Sequence, residues 1–277
     1  SDNVRVAVLF GFGINCDRET AAVFDMVGVT SERLHVNHLV KGNRSLEEFD
    51  ILAVPGGFSF GDHLGSGRLL GNRLRFALRE QLQKFVSSGK PVIGICNGFQ
   101  ALVKTGLLPG PENASLEPDL IQRASLTLNN TGRYEDRWVT LEFDSESPCI
   151  WTKGIQRIEC PVRHGEGRFV MPTEMELDRL SAYHQLTVRY VDPSTESGTG
   201  LSDDLLPFPL SPNGSMRNIA GICDPTGLVF GLMPHPEAFY TMWLHPEHTS
   251  MKLNEDEWEG SGLQIFRNAV EYVRSQR

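Results

Sequence analysis

The chain has 277 residues, 40% of them hydrophobic, enough to bury a substantial core as one large domain or two small ones. Acidic residues outnumber basic ones, 35 to 26, for a formal net charge of -9, and no Lys/Arg cluster stands out; nucleic acid and anionic membrane are poor partners for such a surface. No apolar run approaches a bilayer span, and the five scattered cysteines (Cys16, Cys96, Cys149, Cys160, Cys223) lack Cys-x-x-Cys spacing. These features point away from a membrane protein, a disulfide scaffold or a zinc site and toward a cytoplasmic globular protein.

In chain order, Val4 to Phe10 is β-branched and apolar and predicts a buried first strand. Gly11-Phe12-Gly13-Ile14-Asn15-Cys16 follows it, but Cys16 stands where a dinucleotide-binding loop needs its third glycine, so that reading is rejected. Asn15 or Asp17 can cap a helix over Asp17 to Val27 that Gly28 ends. Cys16, at that helix start, is a rival nucleophile to the one named below. Arg33 to Leu39 alternates like a strand, and Asp50 to Val54 is another buried one. Pro55-Gly56-Gly57-Phe58-Ser59-Phe60-Gly61-Asp62 then offers backbone N–H groups to an oxyanion or a phosphate, or is a plain tight turn; it lacks a P-loop ending. From Gly67 to Ser88, Leu70, Leu74, Leu78, Leu82 and Phe85 make one apolar helical stripe closed by Gly89.

Pro91 to Ile95 is a strand that runs into Gly94-Ile95-Cys96-Asn97-Gly98, followed by a helical pattern. This Gly-x-Cys-x-Gly spacing reads as a strand–nucleophile–helix elbow, with glycines where neighbouring chain crowds in. A helix beginning near Asn97 points its positive dipole end at the sulfur and favours the thiolate, the reactive form. A buried core cysteine fits the pentapeptide equally well. The strand–helix alternation up to Gly106 predicts a doubly wound, mainly parallel sheet with helices on both faces and active groups at the carboxyl ends of its strands.

Beyond Pro109 the pattern changes to a polar loop and then antiparallel-type strands: Leu126 to Leu128, Trp138 to Phe143, Arg157 to Pro172 broken at Gly165-Glu166-Gly167, and His184 to Val191. Asp192 to Ser215 is rich in Ser, Gly, Pro and Asp and reads as a mobile surface loop. Asn218 to Ile222 and Leu228 to Met233 form a hairpin-like pair that leads into Pro234-His235-Pro236-Glu237. In an extended segment His235 and Glu237 share a side, which suits a carboxylate-oriented general base; a His in a proline-rich turn is the plain alternative. Glu255 to Glu259 reads as an acidic turn, and Leu263, Phe266, Val270 and Val273 as a closing amphipathic helix. His245 and His248 lack a convincing accompanying ligand set, so no metal site is expected. Residues 1–277 read as a single domain with a flexible loop near 192–217.

Gly94 to Gln100, Pro55 to Asp62 and Pro234 to Glu237 together resemble the class I (triad) glutamine amidotransferases. Within them, Asn15-Cys16-Asp17-Arg18, His164-Gly165-Glu166-Gly167 and Pro212-Asn213-Gly214-Ser215 are similar to the glutaminase component of phosphoribosylformylglycinamidine synthase, of purine biosynthesis. Six motifs in the right order, from about Val4 to Glu237, carry this resemblance. It implies a flavodoxin-like sheet with an added antiparallel region. It implies Cys96 as nucleophile, His235 as proton relay and Glu237 as the group that orients and charges it. Gly57 and Asn97 would supply oxyanion-hole N–H groups, and Gln100, His164, Gly165 and Glu166 would hold the amino-acid end of glutamine.

The resemblance further implies no cofactor in this chain. Ammonia would pass to an ATP- and magnesium-dependent synthetase partner, with or without a small accessory subunit. Two features depart from the pattern. Ala238 follows Glu237 where many relatives carry Arg, which leaves the triad residues in place but removes any partner contact made by that arginine. Asn129 to Trp138 looks more like the glutaminase domain of long single-chain synthases. A stand-alone cysteine hydrolase and a catalytically silent assembly subunit are the rival readings; the first would need no partner, and the second would not react at Cys96.

Overall fold

A computed structural model describes residues 3–57, 76–111, 121–251 and 258–277. The expected loop beyond Gly57, the stripe residues Leu70 and Leu74, part of the polar loop after Pro109, and Glu255 to Glu257 lie outside the described residues.

Four β-strands and their partner helices follow the predicted alternation: β1 (Arg5–Phe10), α1 (Asp17–Met26), β2 (Thr30–His35), α2 (Val36–Val40), β3 (Ile51–Val54), α3 (Arg79–Ser87), β4 (Val92–Ile95) and α4 (Asn97–Thr105). The strands β5 (Ser125–Thr127), β6 (Glu135–Phe143), β7 (Arg157–His164) and β8 (Arg168–Val170) come next, then α5 (Glu174–Ala182). The chain closes with β9 (Val188–Tyr190), β10 (Ile219–Cys223), β11 (Val229–Leu232) and α6 (Leu263–Ser275).

Nine strands form one sheet in the order β2-β1-β3-β4-β11-β10-β9-β6-β7. The first five are parallel neighbours, which is the flavodoxin-like order, and the other four continue the sheet with antiparallel pairs. Right-handed crossovers that move in opposite directions along the sheet, β1 to β2 and β3 to β4, put α1 and α3 on opposite faces. Sandwiched strands must be apolar on both sides, and Ile51 to Val54 and Val92 to Ile95 are buried throughout. On the α1 face, Phe24 meets Phe266 of α6 edge to face at 5.1 Å. On the α4 face, Gly231 sits beside Gly94, and a Cβ on Gly231 would overlap the Phe99 ring.

Register brings the carboxyl ends of the central strands together: Val8 lies beside Ala53, Ala53 beside Ile93 and Ile95 beside Leu232. The loops that leave β1, β3, β4 and β11 therefore share one edge, around the point where the strand order reverses. The small β5–β8 ladder stands apart from the main sheet.

Several local expectations need correction. The strand expected over Arg33 to Leu39 ends at His35, whose Nδ1 accepts from the Asn37 N–H at 3.1 Å and caps α2. Cys16, not Asn15 or Asp17, holds the N-cap position of α1, with no side-chain cap bond. The strand expected over His184 to Val191 shortens to β9. Helix α5 is an element beyond the expected set; Thr173 caps it by accepting from the Glu176 N–H at 3.2 Å, with Leu177 and Leu180 on its buried face. The 192–217 segment has an exposed first part, but Ser211, Asn213 and Ser215 are buried, held by hydrogen bonds described below.

Candidate active site

Cys96 links β4 to α4 with φ +53° and ψ -108°, a backbone conformation that side-chain-bearing residues rarely adopt. Its N–H donates to the Leu232 carbonyl at 2.7 Å, which pins the turn to the end of β11. The glycines on either side are required by crowding. A Cβ on Gly94 would lie 2.6 Å from the Gly98 carbonyl oxygen, and one on Gly98 would overlap the Val54 carbonyl. The thiol is 7% exposed and donates to the Arg163 carbonyl at 3.5 Å.

The loop after β3 packs against this elbow. A Cβ on Gly56 would come within 2.8 Å of His235 Cε1 and 3.2 Å of Cys96 Cβ, so a larger residue would separate the two side chains. The Gly56 carbonyl accepts from the N–H groups of Asn15 at 3.2 Å and Cys16 at 3.1 Å, which ties the loop after β1 to it. Gly57 and Cys96 then face a cleft of about 300 Å3, lined also by Asn15, Cys16, Glu19, Tyr134, Arg163 and His235. The volume is sufficient for an amino-acid-sized substrate.

His235 leaves β11 with its N–H donating to Pro161 of β7 at 2.8 Å. The segment is a single tight helical turn, Pro236–Ala238, with proline at its first position, rather than the extended stretch expected. The turn still joins the pair, with Nδ1 of His235 2.6 Å from Oε1 of Glu237 and both residues buried. Burial disfavours the imidazolium, but the Glu237 carboxylate and then Cys96 outweigh it and raise the His235 pKa from 6.5 to about 10. His235 is thereby held as a cation beside the sulfur.

A second group lies at the end of β7. Gln100 on α4 donates from Nε2 to the Glu166 carbonyl at 2.6 Å, while its Oε1 is buried without a partner among the described residues. His164 pairs through Nδ1 with Asn129 Oδ1 at 3.0 Å; burial, then the charge of His235, lower its pKa to about 3 and keep it neutral. The same Asn129 oxygen accepts from the Gly167 N–H at 3.0 Å, and its Nδ2 donates to the His164 carbonyl at 2.8 Å. Asn213 Nδ2 donates to the Gly167 carbonyl at 2.9 Å, and Ser215 Oγ donates to Asn213 Oδ1 at 2.7 Å. These bonds fix the His164–Gly167 turn from both sides, and they are why the 211–215 stretch is buried.

Residues 3–273 match the model of the CobB/CobQ-like glutamine amidotransferase domain. The chain belongs to this amidotransferase family. A phosphoribosylformylglycinamidine synthase subunit PurQ of Dehalococcoides mccartyi is 42% identical over 271 residues, 98% of each chain. A subunit of the same name from Methanococcus maripaludis is 40% identical over 97% of each chain. Among solved structures, a chain of PurLQS from Thermotoga maritima superposes with a TM-score of 0.66 at 25% identity, covering 98% of this chain and 99% of that one.

Within this amidotransferase, Cys96, Gly57 and His235 line one cleft, and Glu237 lies behind His235. Gln100, His164 and Glu166 meet around the neighbouring turn, and Gly165 accepts there from the Asn129 N–H at 2.9 Å. Cys16, the rival nucleophile, lines the same cleft. Burial first, then Glu237 and Cys96, push its thiol pKa well above the usual range, so it stays protonated. His245 pairs with Glu159 at 2.6 Å and His248 bonds the His245 carbonyl; the two imidazoles serve local structure. Sequence reasoning missed Asn129 and Arg163. Asn129 acts on groups 35 and 38 residues away, and Arg163 contributes its backbone, which no residue pattern marks.

Proposed function

We propose that this chain is the glutaminase component of a phosphoribosylformylglycinamidine synthase. It would hydrolyse glutamine to glutamate and ammonia and pass the ammonia to an ATP- and magnesium-dependent synthetase subunit that aminates formylglycinamide ribonucleotide. The full-length identity to subunits of that name supports the assignment. The observation that carries the chemistry is the buried His235–Glu237 pair at 2.6 Å beside a cysteine on a strained elbow.

The reaction begins when the Cys96 thiol gives up its bond to the Arg163 carbonyl and loses its proton to the medium, leaving a thiolate beside the His235 imidazolium. The sulfur attacks the side-chain carboxamide carbon of glutamine, and the carbonyl electrons move onto oxygen. Backbone N–H groups of Gly57 and Asn97 receive that charge, each worth roughly 3 kcal/mol in comparable sites. Collapse breaks the C–N bond as His235 protonates the leaving nitrogen, which departs as ammonia and leaves a glutamyl thioester on Cys96. Neutral His235 then takes a proton from water as the hydroxyl adds to the thioester. Collapse expels the Cys96 thiolate and releases glutamate. Glu237 holds the imidazole in one tautomer and stabilises its charged form in both halves. The His164–Glu166 turn and Gln100 hold the amino-acid end of the substrate.

The test is mass spectrometry after treatment with diazo-oxo-norleucine, a glutamine-like electrophile, with and without glutamine. A single adduct on Cys96 that glutamine suppresses is the expected result. An adduct on Cys16, or a Cys96 adduct that ignores glutamine, would overturn the assignment.

A further inference from the structure

The geometry points to a second role for the cleft: Cys16, His235 and Glu237 form a binding site for a thiophilic divalent cation, zinc(II) above all, that shuts the glutaminase off. One sulfur, one imidazole nitrogen and one carboxylate oxygen from these residues lie within 4.8 Å of one another. Sulfur, nitrogen and oxygen donors are the set zinc takes, at bond lengths that put donors about 3.5 Å apart in a tetrahedron. Three corners are completed when the Cys16 sulfur closes in by on the order of 1 Å and the His235–Glu237 hydrogen bond, 2.6 Å long, gives way to metal bonds. The ligands come from two different loops, after β1 and after β11, so side-chain rotation in the cleft can supply that movement.

An independent observation points the same way. Glu237 is 1% exposed, and its Oε2 has no hydrogen-bond partner among the described residues. A buried carboxylate oxygen without a donor is costly, and glutamine hydrolysis gives it no task. A cation would satisfy it. The charges acting on Cys16 agree: Glu237, Cys96 and Glu19 raise its pKa, and Arg163 lowers it. Glu19 and Arg163 both line the cleft, which gives an ion a path from solvent. On binding, the Cys16 thiol and the His235 imidazolium each release a proton to the medium, and the thiolate and the neutral imidazole become ligands, with no change in oxidation state. The cation occupies the base and its orienting carboxylate together, so turnover stops. That consequence rests on the glutaminase reading, whereas the binding does not.

Cobalt(II) titration of the full chain under a phosphine reductant separates the two. A thiolate-to-cobalt charge-transfer band should form, vanish on adding zinc(II), persist in Cys96→Ala, and be lost in both Cys16→Ser and Glu237→Gln. In glutamine hydrolysis, Cys16→Ser should retain basal turnover while its zinc(II) inhibition constant rises about tenfold or more. No band, a band that survives in Cys16→Ser, or one lost in Cys96→Ala would overturn the cation site. A normal band in a chain that never hydrolyses glutamine, with or without a synthetase, would instead sink the glutaminase reading.

Discussion

At His235 burial and charge oppose each other, and the structure shows which wins. A buried imidazole with no anion behaves as His164 does, pushed down to about 3 by burial and by the nearby His235 charge. His235 is equally enclosed, yet Glu237 and Cys96 raise it to about 10. Replacing Glu237 with Gln removes the leading positive contribution, so the pKa should fall steeply and the imidazole should lose its fixed tautomer. A kcat loss of roughly 10^3 to 10^4 is expected, as for other oriented histidines. Linkage gives a second readout. A pKa raised from 6.5 to about 10 on folding stabilises the chain fully below pH 6.5, and this stabilisation is lost as pH rises through 10. Denaturant midpoints of the native chain should therefore fall across that window, and Glu237→Gln should flatten the fall; parallel curves would show that the carboxylate does not charge His235. Cys96, His235 and Glu237 could be named from sequence because each sits in a short motif. The partners of the His164 turn could not, because Asn129 and Asn213 reach it from 35 and 46 residues away.

The elbow and the β7 turn depend on different physics at the level of elements, and substitutions should separate them. Gly98 has no room for even a methyl group, because the Val54 backbone occupies the place of its Cβ. Backbone on both sides leaves no rotamer escape, so Gly98→Ala should cost more than about 3 kcal/mol, readable as a denaturant midpoint. Stability within 1 kcal/mol of native would show that α4 can move away from β3. Asn129→Ala acts otherwise: it strips partners from the His164 ring, the His164 carbonyl and the Gly167 N–H without overlap. A loss of about 1–3 kcal/mol is expected, together with a raised KM for glutamine and a smaller change in kcat. An unchanged KM would detach this turn from substrate binding. The parallel strands were legible because burial on both faces leaves continuous apolar runs. The short helix α2 was not: its residues alternate like a strand, and the cap from His35 decides the outcome. Helix α5 carries a Thr173-x-x-Glu176 start signal, but its short length between two strand patterns weakens the helical periodicity.

Across the whole molecule, one sheet serves two purposes with its two halves. The parallel half delivers Gly57, Cys96 and His235 from the ends of β3, β4 and β11, and the antiparallel half delivers the His164–Gly167 turn from β7. The backbone bond from His235 to Pro161, and the thiol bond from Cys96 to Arg163, join those halves at the site. Under the proposed function, chemistry on glutamine is confined to this chain, while the use of ammonia belongs to the synthetase. Cys96→Ala should separate them cleanly. With the synthetase present, glutamine-dependent synthesis should fall to background, and synthesis supplied with ammonium salt should stay within about twofold of native, because alanine keeps the elbow's Cβ and removes only the sulfur. If both activities fell together, the thiol contact to Arg163 would be holding the two halves of the sheet in the shape the partner needs. A double variant that adds Glu237→Gln distinguishes the cases further. It should lower the ammonia-dependent rate no more than Cys96→Ala alone, since neither side chain acts once ammonia is supplied.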